Sequence, residues 1–69
     1  MLVLVPRLRR LREARALSQE ELAERAHVSR NTVVRGERGE DLRPVSVRKL
    51  ATALKVSPAH LQGLDEKGT

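Results

Sequence analysis

The chain has 69 residues, with 14 Lys and Arg against 9 Asp and Glu, a net charge of +5 and no Cys, Trp, Tyr or Phe. This length suits one domain and excludes a multi-domain enzyme. The lack of Cys excludes disulfides and thiolate metal sites, and the lack of aromatics removes the usual platform for stacking single-stranded bases. What remains is a small intracellular domain whose basic surface, with 11 Arg against 3 Lys, suits an anionic partner. A general compositional preference for Arg is the alternative explanation of that excess.

An apolar arm opens the chain and is followed by the first predicted helix. Residues 1–5 read Met-Leu-Val-Leu-Val and precede Pro6. This run is too short for a signal peptide or a transmembrane helix, and its residue types indicate a short strand or an extended arm. Pro6 suits the first turn of a helix over about residues 7–15. Its apolar face carries Leu8, Leu11 and Ala14, and its other face is rich in Arg.

Two further helices are predicted over about residues 19–26 and 30–37. Ser18 and Ser29 are each suited to cap the helix that follows, because a serine hydroxyl accepts a hydrogen bond from a free N–H of the first turn. Only residues 27–29 separate the two helices, which is the length of the connection in a helix-turn-helix motif.

A polar loop leads to two more predicted helices. Ser46 is expected to cap a helix over about residues 46–55, and Pro58 opens a short helix over about residues 58–63. The predicted fold class is therefore all-α: a compact bundle of five short helices with a helix-turn-helix and a short N-terminal strand or arm. The chain divides into an arm, a helix-turn-helix domain and a tail, at residues 1–6, 7–63 and 64–69.

The spacing of small and apolar residues supports a helix-turn-helix that begins at Gln19. Its fifth position must be small, because the second helix packs over it, and is Ala23. Its ninth position lies in the turn, where positive φ is common, and is His27. Its eighteenth position should be a large apolar residue but is Gly36, which we expect to cost about 1 kcal/mol relative to Ala and to lose packing.

At these residues the chain resembles the phage-repressor and Cro-like family of helix-turn-helix DNA-binding proteins, also called the xenobiotic-response-element family. The resemblance covers roughly residues 7–62. Three residues depart from the family pattern. Ala16 stands where the family often has Gly, and the other two departures are His27 and Gly36. Four segments carry the resemblance: Leu-Arg-Glu-Ala-Arg-Ala-Leu-Ser-Gln-Glu-Glu-Leu-Ala (11–23), Val-Ser-Arg-Asn-Thr-Val (28–33), Glu-Arg-Gly (37–39) and Val-Arg-Lys-Leu-Ala-Thr-Ala-Leu-Lys-Val-Ser (47–57).

The resemblance implies that the third helix lies in the major groove of double-stranded DNA, with its N-terminal residues at the base edges. Arg can form a bidentate pair with guanine, Asn can do so with adenine, and Thr or Val can contact a thymine methyl. The alternative is that these side chains are merely solvated. The candidate base-reading residues are Arg30, Asn31, Thr32, Val34 and Arg35.

Residues around this helix are candidate contacts to the DNA backbone: Gln19, Ser29, Arg38 and Arg43. In the family, the Gln that opens the second helix holds a phosphate, and the free N–H groups there favour an anion. A local hydrogen bond is the alternative for Gln19, and Ser29 is first of all a cap.

Arg12 and Glu37 match a family pair that ties the first helix to the end of the third. If this pair forms, Arg12 is not a DNA ligand. The other arginines of the first helix could approach the DNA backbone or be solvated; they are Arg7, Arg9, Arg10 and Arg15. A basic helix can also lie on an anionic membrane, but its small apolar face is expected to be used by the core.

The predicted function is sequence-specific binding of double-stranded DNA by a cytoplasmic, nucleoid-associated transcriptional regulator. A homodimer on a pseudo-palindrome is expected, because one module of this size rarely supplies enough specificity alone. One candidate dimer surface is the arm (Leu2, Val3, Leu4 and Val5), which could pair with its two-fold mate or pack on its own core. The other is the region of the fifth helix with Leu61 and Leu64.

Two other functions stay open at this point. One is an antitoxin-type module that binds a partner protein as well as DNA, and the other is a scaffold with nonspecific DNA affinity. No enzyme activity, cofactor or metal is expected, because His27 and His60 have no Cys or carboxylate at ligand spacing. They are interpreted as a turn residue and a surface residue.

Overall fold

The computed structural model describes residues 2–64, and within them the chain forms five short helices. The helices are α1 (Leu8–Ala14), α2 (Gln19–Ala26), α3 (Arg30–Glu37), α4 (Pro44–Leu54) and α5 (Pro58–Leu61). The all-α prediction is confirmed. The bounds of α2 and α3 agree with those predicted, and α2 packs against both α3 and α4.

An aliphatic core lies at the centre of these helices. No polar or charged residue among residues 2–64 is buried. Because burial of apolar surface is the main favourable term and the chain is short, every one of these side chains matters to stability. The buried residues are Val5, Leu8, Leu17, Leu22, Ala23, Ala26, Val33, Leu42, Val47, Leu50, Ala51, Leu54 and Leu61.

The helix-turn-helix is capped as its sequence predicts. The hydroxyl of Ser18 accepts a hydrogen bond from the N–H of Glu21, and the Glu21 carboxylate accepts one from the Ser18 N–H, at 3.0 and 2.8 Å. His27 ends α2 in the left-handed conformation, with φ 59° and ψ 43°, which confirms the expected positive φ. Ser29 then caps α3 by accepting from the N–H of Thr32.

Helix boundaries outside this motif differ from the prediction. The expected start of α4 at Ser46 is wrong: Arg43 is the N-cap and Pro44 is the first helical residue, because the φ of proline is already set for a helix. α5 ends at Leu61 rather than at residue 63, and Gly63 has φ 76°. α1 is one residue shorter at each end than predicted, so Pro6 precedes its N-cap.

The N-terminal arm lies on the core of its own chain. The N–H and C=O of Val3 exchange hydrogen bonds with the C=O and N–H of Leu42, at 2.7 and 2.8 Å. Val5 is only 2% exposed. The arm therefore packs on the core of its own chain, which is one of the two alternatives expected for it.

Three leucines remain outside this core. Leu2, Leu4 and Leu64 are 56%, 53% and 64% exposed and line an open pocket of about 480 Å³. Leu61 is fully buried, so the expectation that it forms part of a dimer surface is wrong. Its side chain is part of the hydrophobic core, where α5 packs against α4.

Candidate nucleic-acid interface

The exposed face of α3 carries most of the residues predicted to read bases. Val33 and Gly36 are buried, because they repeat at the helical spacing that faces the core. Arg30, Asn31 and Arg35 are exposed, and Thr32 and Val34 are half-buried beside them. No hydrogen bond or ion pair within residues 2–64 occupies the side chains of Arg30 and Asn31. Their polar groups are therefore available to a ligand at the N-terminal half of α3.

Arg35, one turn further along α3, is held by the loop that follows the helix. Its Nε donates to Glu40 Oε1 at 3.3 Å, and one Nη donates to the carbonyl of Asp41 at 3.5 Å. The second Glu40 oxygen lies 3.9 Å from Nε of Arg38. Arg43 is exposed at the N-cap of α4 and lines an open pocket together with Thr32 and Arg35. Predicted base-reading and phosphate-binding residues thus share one surface.

The side chains of Gln19 and Ser29 both make hydrogen bonds within the chain. The side-chain amide of Gln19 donates to Glu37 Oε1 at 3.0 Å. Because Glu37 ends α3, this bond joins two helices and is not the local hydrogen bond expected as the alternative for Gln19. One amide hydrogen and the amide oxygen remain outside that bond. The hydroxyl of Ser29 caps α3 and lies 2.9 Å from the hydroxyl of Thr32.

The structure brings Arg12 and Glu37 together across two helices. Arg12 Nε donates to Glu37 Oε2 at 2.5 Å, a second guanidinium N–H donates to Oε1 at 3.2 Å, and a third reaches the Leu17 carbonyl at 2.6 Å. The two side chains are only 11% and 5% exposed. The hydrogen bond to Glu37 raises the pKa of Arg12, against the opposing effect of burial. Arg12 is therefore a structural residue of the α1–α3 contact.

Sequence reasoning missed the role of Glu40, which bridges Arg35 and Arg38. Glu40 lies beyond the end of α3, so the i,i+4 spacing that identifies helical ion pairs does not detect it. Sequence reasoning also missed that Gln19 shares the Glu37 carboxylate with Arg12, because this contact joins the starts and ends of three different helices.

The chain is similar to known proteins in sequence and in fold. The sequence model of the family described as "Helix-turn-helix domain" matches residues 3–64. The chain belongs to this family. Within it, the chain is one of the Cro/C1-type DNA-binding helix-turn-helix transcription regulators, as the resemblance on α2 and α3 implied. No curated protein matches the chain in sequence.

Two solved structures of helix-turn-helix proteins are similar to the chain. One is the restriction-modification controller protein C.AhdI from Aeromonas hydrophila, with 46% identity and a TM-score of 0.75 over 80% of this chain and 85% of that chain. The other is a chain of the SinR protein/SinI protein complex, with 29% identity and a TM-score of 0.78. That match covers 93% of this chain and 62% of the other. Within residues 2–64, none of the helices has the length and apolar character needed to cross a bilayer.

Proposed function

We propose that this helix-turn-helix regulator binds double-stranded DNA sequence-specifically, with α3 in the major groove. The observation that carries the proposal is the division of α3: Val33 faces the core, while Arg30 and Asn31 face outward with no partner in the described chain. An exposed Arg and Asn at the start of a helix can each form a bidentate pair with a base edge. Thr32 and Val34 flank this face, and their methyl groups would make apolar contacts with the methyl group of a thymine.

Binding to the DNA backbone would come from residues on either side of α3. Arg38 follows the helix and Arg43 opens α4, and both are exposed. Gln19 and Ser29 stand at the starts of α2 and α3, where free N–H groups attract a phosphate. These contacts give affinity and orientation without reading sequence, whereas the outer face of α3 gives the sequence preference.

A homodimer on a pseudo-palindromic site is part of the proposal. A single module rarely gives enough specificity, and a two-fold protein reads two half-sites with one surface. Exposed apolar side chains at one place on a small domain are typical of an interface. We call the surface formed by Leu2, Leu4 and Leu64 the leucine patch, and we assign the dimer contact to it.

A second candidate function uses the same leucine patch for a different protein. The solved SinR protein/SinI protein complex pairs a chain similar to this one with a second protein. By analogy, a partner protein could cover the leucine patch and alter DNA binding. Sedimentation of the purified chain separates the two, because a homodimer forms without any partner and a partner-binding monomer does not.

Selection of bound sites from random duplex DNA tests the proposed function. We expect a short consensus repeated with two-fold symmetry, whose spacing gives the distance between the two copies of α3. Replacing Arg30 and Asn31 with Ala should relax the consensus, whereas Arg38→Ala should weaken all duplexes alike. Equal affinity for the selected site and a random duplex, with a steep dependence on salt, would contradict sequence-specific binding.

A further inference from the structure

Glu40 holds the side chain of Arg35 from one side. Glu40 Oε1 accepts from Arg35 Nε at 3.3 Å, and the backbone carbonyl of Asp41 accepts from one Arg35 Nη at 3.5 Å. The two contacts come from consecutive residues of the α3–α4 loop. They restrict the long and otherwise mobile side chain of Arg35, which is 46% exposed.

The donors that remain on Arg35 are the ones that a guanine needs. A guanidinium has five N–H groups in a planar fork, and the loop uses the Nε–H and one N–H of the neighbouring nitrogen. The far end of the fork keeps two parallel N–H groups. Two parallel donors match the O6 and N7 acceptors of guanine in the major groove.

We propose that Glu40 is a positioning residue that orients Arg35 to read a guanine, and so determines specificity at one base pair. The inference rests on the proposed function, because it needs α3 in the major groove. An orientation fixed before binding reduces the rotamer entropy that Arg35 loses when it contacts a base. A side chain without this support can contact a phosphate or any nearby acceptor instead.

The charge of Glu40 acts in the same direction. Its carboxylate also lies 3.9 Å from Nε of Arg38, a candidate phosphate contact. A negative charge between two such cations lowers the attraction of this surface for any DNA backbone. Glu40 should therefore disfavour random duplexes while it favours the site that contains the guanine.

The test compares two variants that remove the same charge. Glu40→Gln keeps the size of the side chain and removes its charge. Glu24→Gln does the same for an exposed carboxylate of α2 that makes no hydrogen bond or ion pair with Arg35 or Arg38 in the described chain. Dissociation constants are measured for the selected site, for that site with each G·C pair replaced in turn, and for a random duplex.

We expect Glu40→Gln to reduce the penalty for replacing one G·C pair about fivefold and to bind the random duplex about two- to threefold more tightly. Glu24→Gln should leave the penalty at every position as in the wild type. The effect of Glu40→Gln on that penalty should disappear in an Arg35→Ala background, because Glu40 acts through Arg35.

Three results would overturn the inference. One is an unchanged set of G·C penalties in Glu40→Gln, with wild-type preference for the selected site intact. Another is a lower penalty that persists in the Arg35→Ala background, since Glu40 would then act without Arg35. The third is a wild-type chain with no preference for any site, which would also remove the proposed function; in the first two, the proposed function stands.

Discussion

Leu8 packs directly on the backbone of Gly36, so closely that a β-carbon at position 36 would lie 2.8 Å from Leu8 Cδ2. Leu42 Cδ1 and Val5 Cγ2 would lie 2.9 and 3.1 Å from the same atom. The sequence-based expectation of lost packing at Gly36 is therefore wrong. The arm, α1 and the loop before α4 fill the space that a large side chain at this position would occupy.

Gly36→Ala should lower the free energy of unfolding by about 1 kcal/mol. The added methyl group overpacks a filled core, at a cost of roughly 1–3 kcal/mol, and only part of this is offset by the better helix propensity of Ala. The expected fall in Tm is about 4–8 °C. Leu8→Val in the same chain should recover part of the loss, measured by urea unfolding of the single and double variants. Additive losses would contradict a clash between the two positions.

Arg12→Ala should lower the free energy of unfolding by about 3 kcal/mol, because it removes the Arg12 donors from the Glu37 carboxylate, whose side chain is only 5% exposed, and from the Leu17 carbonyl. Within residues 2–64, only the Gln19 amide would still donate to Glu37. The matched control is Arg9→Ala, which removes an exposed pair with Glu13 and should cost about 0.5 kcal/mol or less. Denaturant unfolding of both variants measures the difference. Similar losses of unfolding free energy in the two variants would show that the Arg12–Glu37 pair stabilises the fold no more than an exposed ion pair does.

Ala16→Gly should raise the free energy of unfolding by about 0.5–1 kcal/mol. Ala16 has φ 55°, a conformation in which the β-carbon is strained and glycine is not. Ala14→Gly, two residues earlier at the end of α1, should have the opposite sign, because glycine lowers helix propensity there. Thermal unfolding of both variants checks this, and a destabilised Ala16→Gly would argue against strain at the turn.

Acid should weaken the capping of α2. The hydrogen bond from the Ser18 N–H lowers the pKa of Glu21, so its charged form stabilises the fold above the ordinary pKa of glutamate. That contribution is lost as the pH falls through the lowered pKa of the folded state. Glu21→Gln should therefore be less stable than wild type near pH 7 and lose less stability towards acid, in urea unfolding at a series of pH values.

The matched control for Glu21 is Glu20→Gln, which changes the same charge in the same turn without contacting Ser18. This variant should keep the wild-type loss of stability in acid. An equally steep loss in Glu21→Gln would show that the capping box does not contribute to the pH dependence.

Leu2→Lys combined with Leu4→Lys should convert the proposed homodimer to a monomer. Both side chains are more than half exposed, so the substitution leaves the core of the monomer intact. Val45→Lys is the control, because Val45 is exposed on α4 outside the leucine patch. Sedimentation measures the mass of each variant. If the double variant still forms a dimer, the interface lies outside the leucine patch. If the wild type is a monomer, the second candidate function is favoured, in which a different protein binds the leucine patch.

The sequence alone determined the features that depend on neighbours along the chain. The Ser18–Glu21 capping box, the positive φ at His27 and the bounds of α2 and α3 all follow from local spacing and local hydrogen bonds. The start of α4 was predicted two residues late because Ser46 is a residue type typical of an N-cap, whereas the helix already begins at Pro44, whose φ suits a helix.

Only the tertiary structure decided the features that join distant segments. The place of Gly36 in the core depends on Val5, Leu8 and Leu42, which come from three separate parts of the chain. The hydrogen bond from Arg35 to Glu40 depends on the path of the loop between α3 and α4. Local spacing cannot predict such contacts, because their geometry is set by how the helices pack. The sequence predicted which residues face DNA, and the packing decided which of those side chains have partners within residues 2–64.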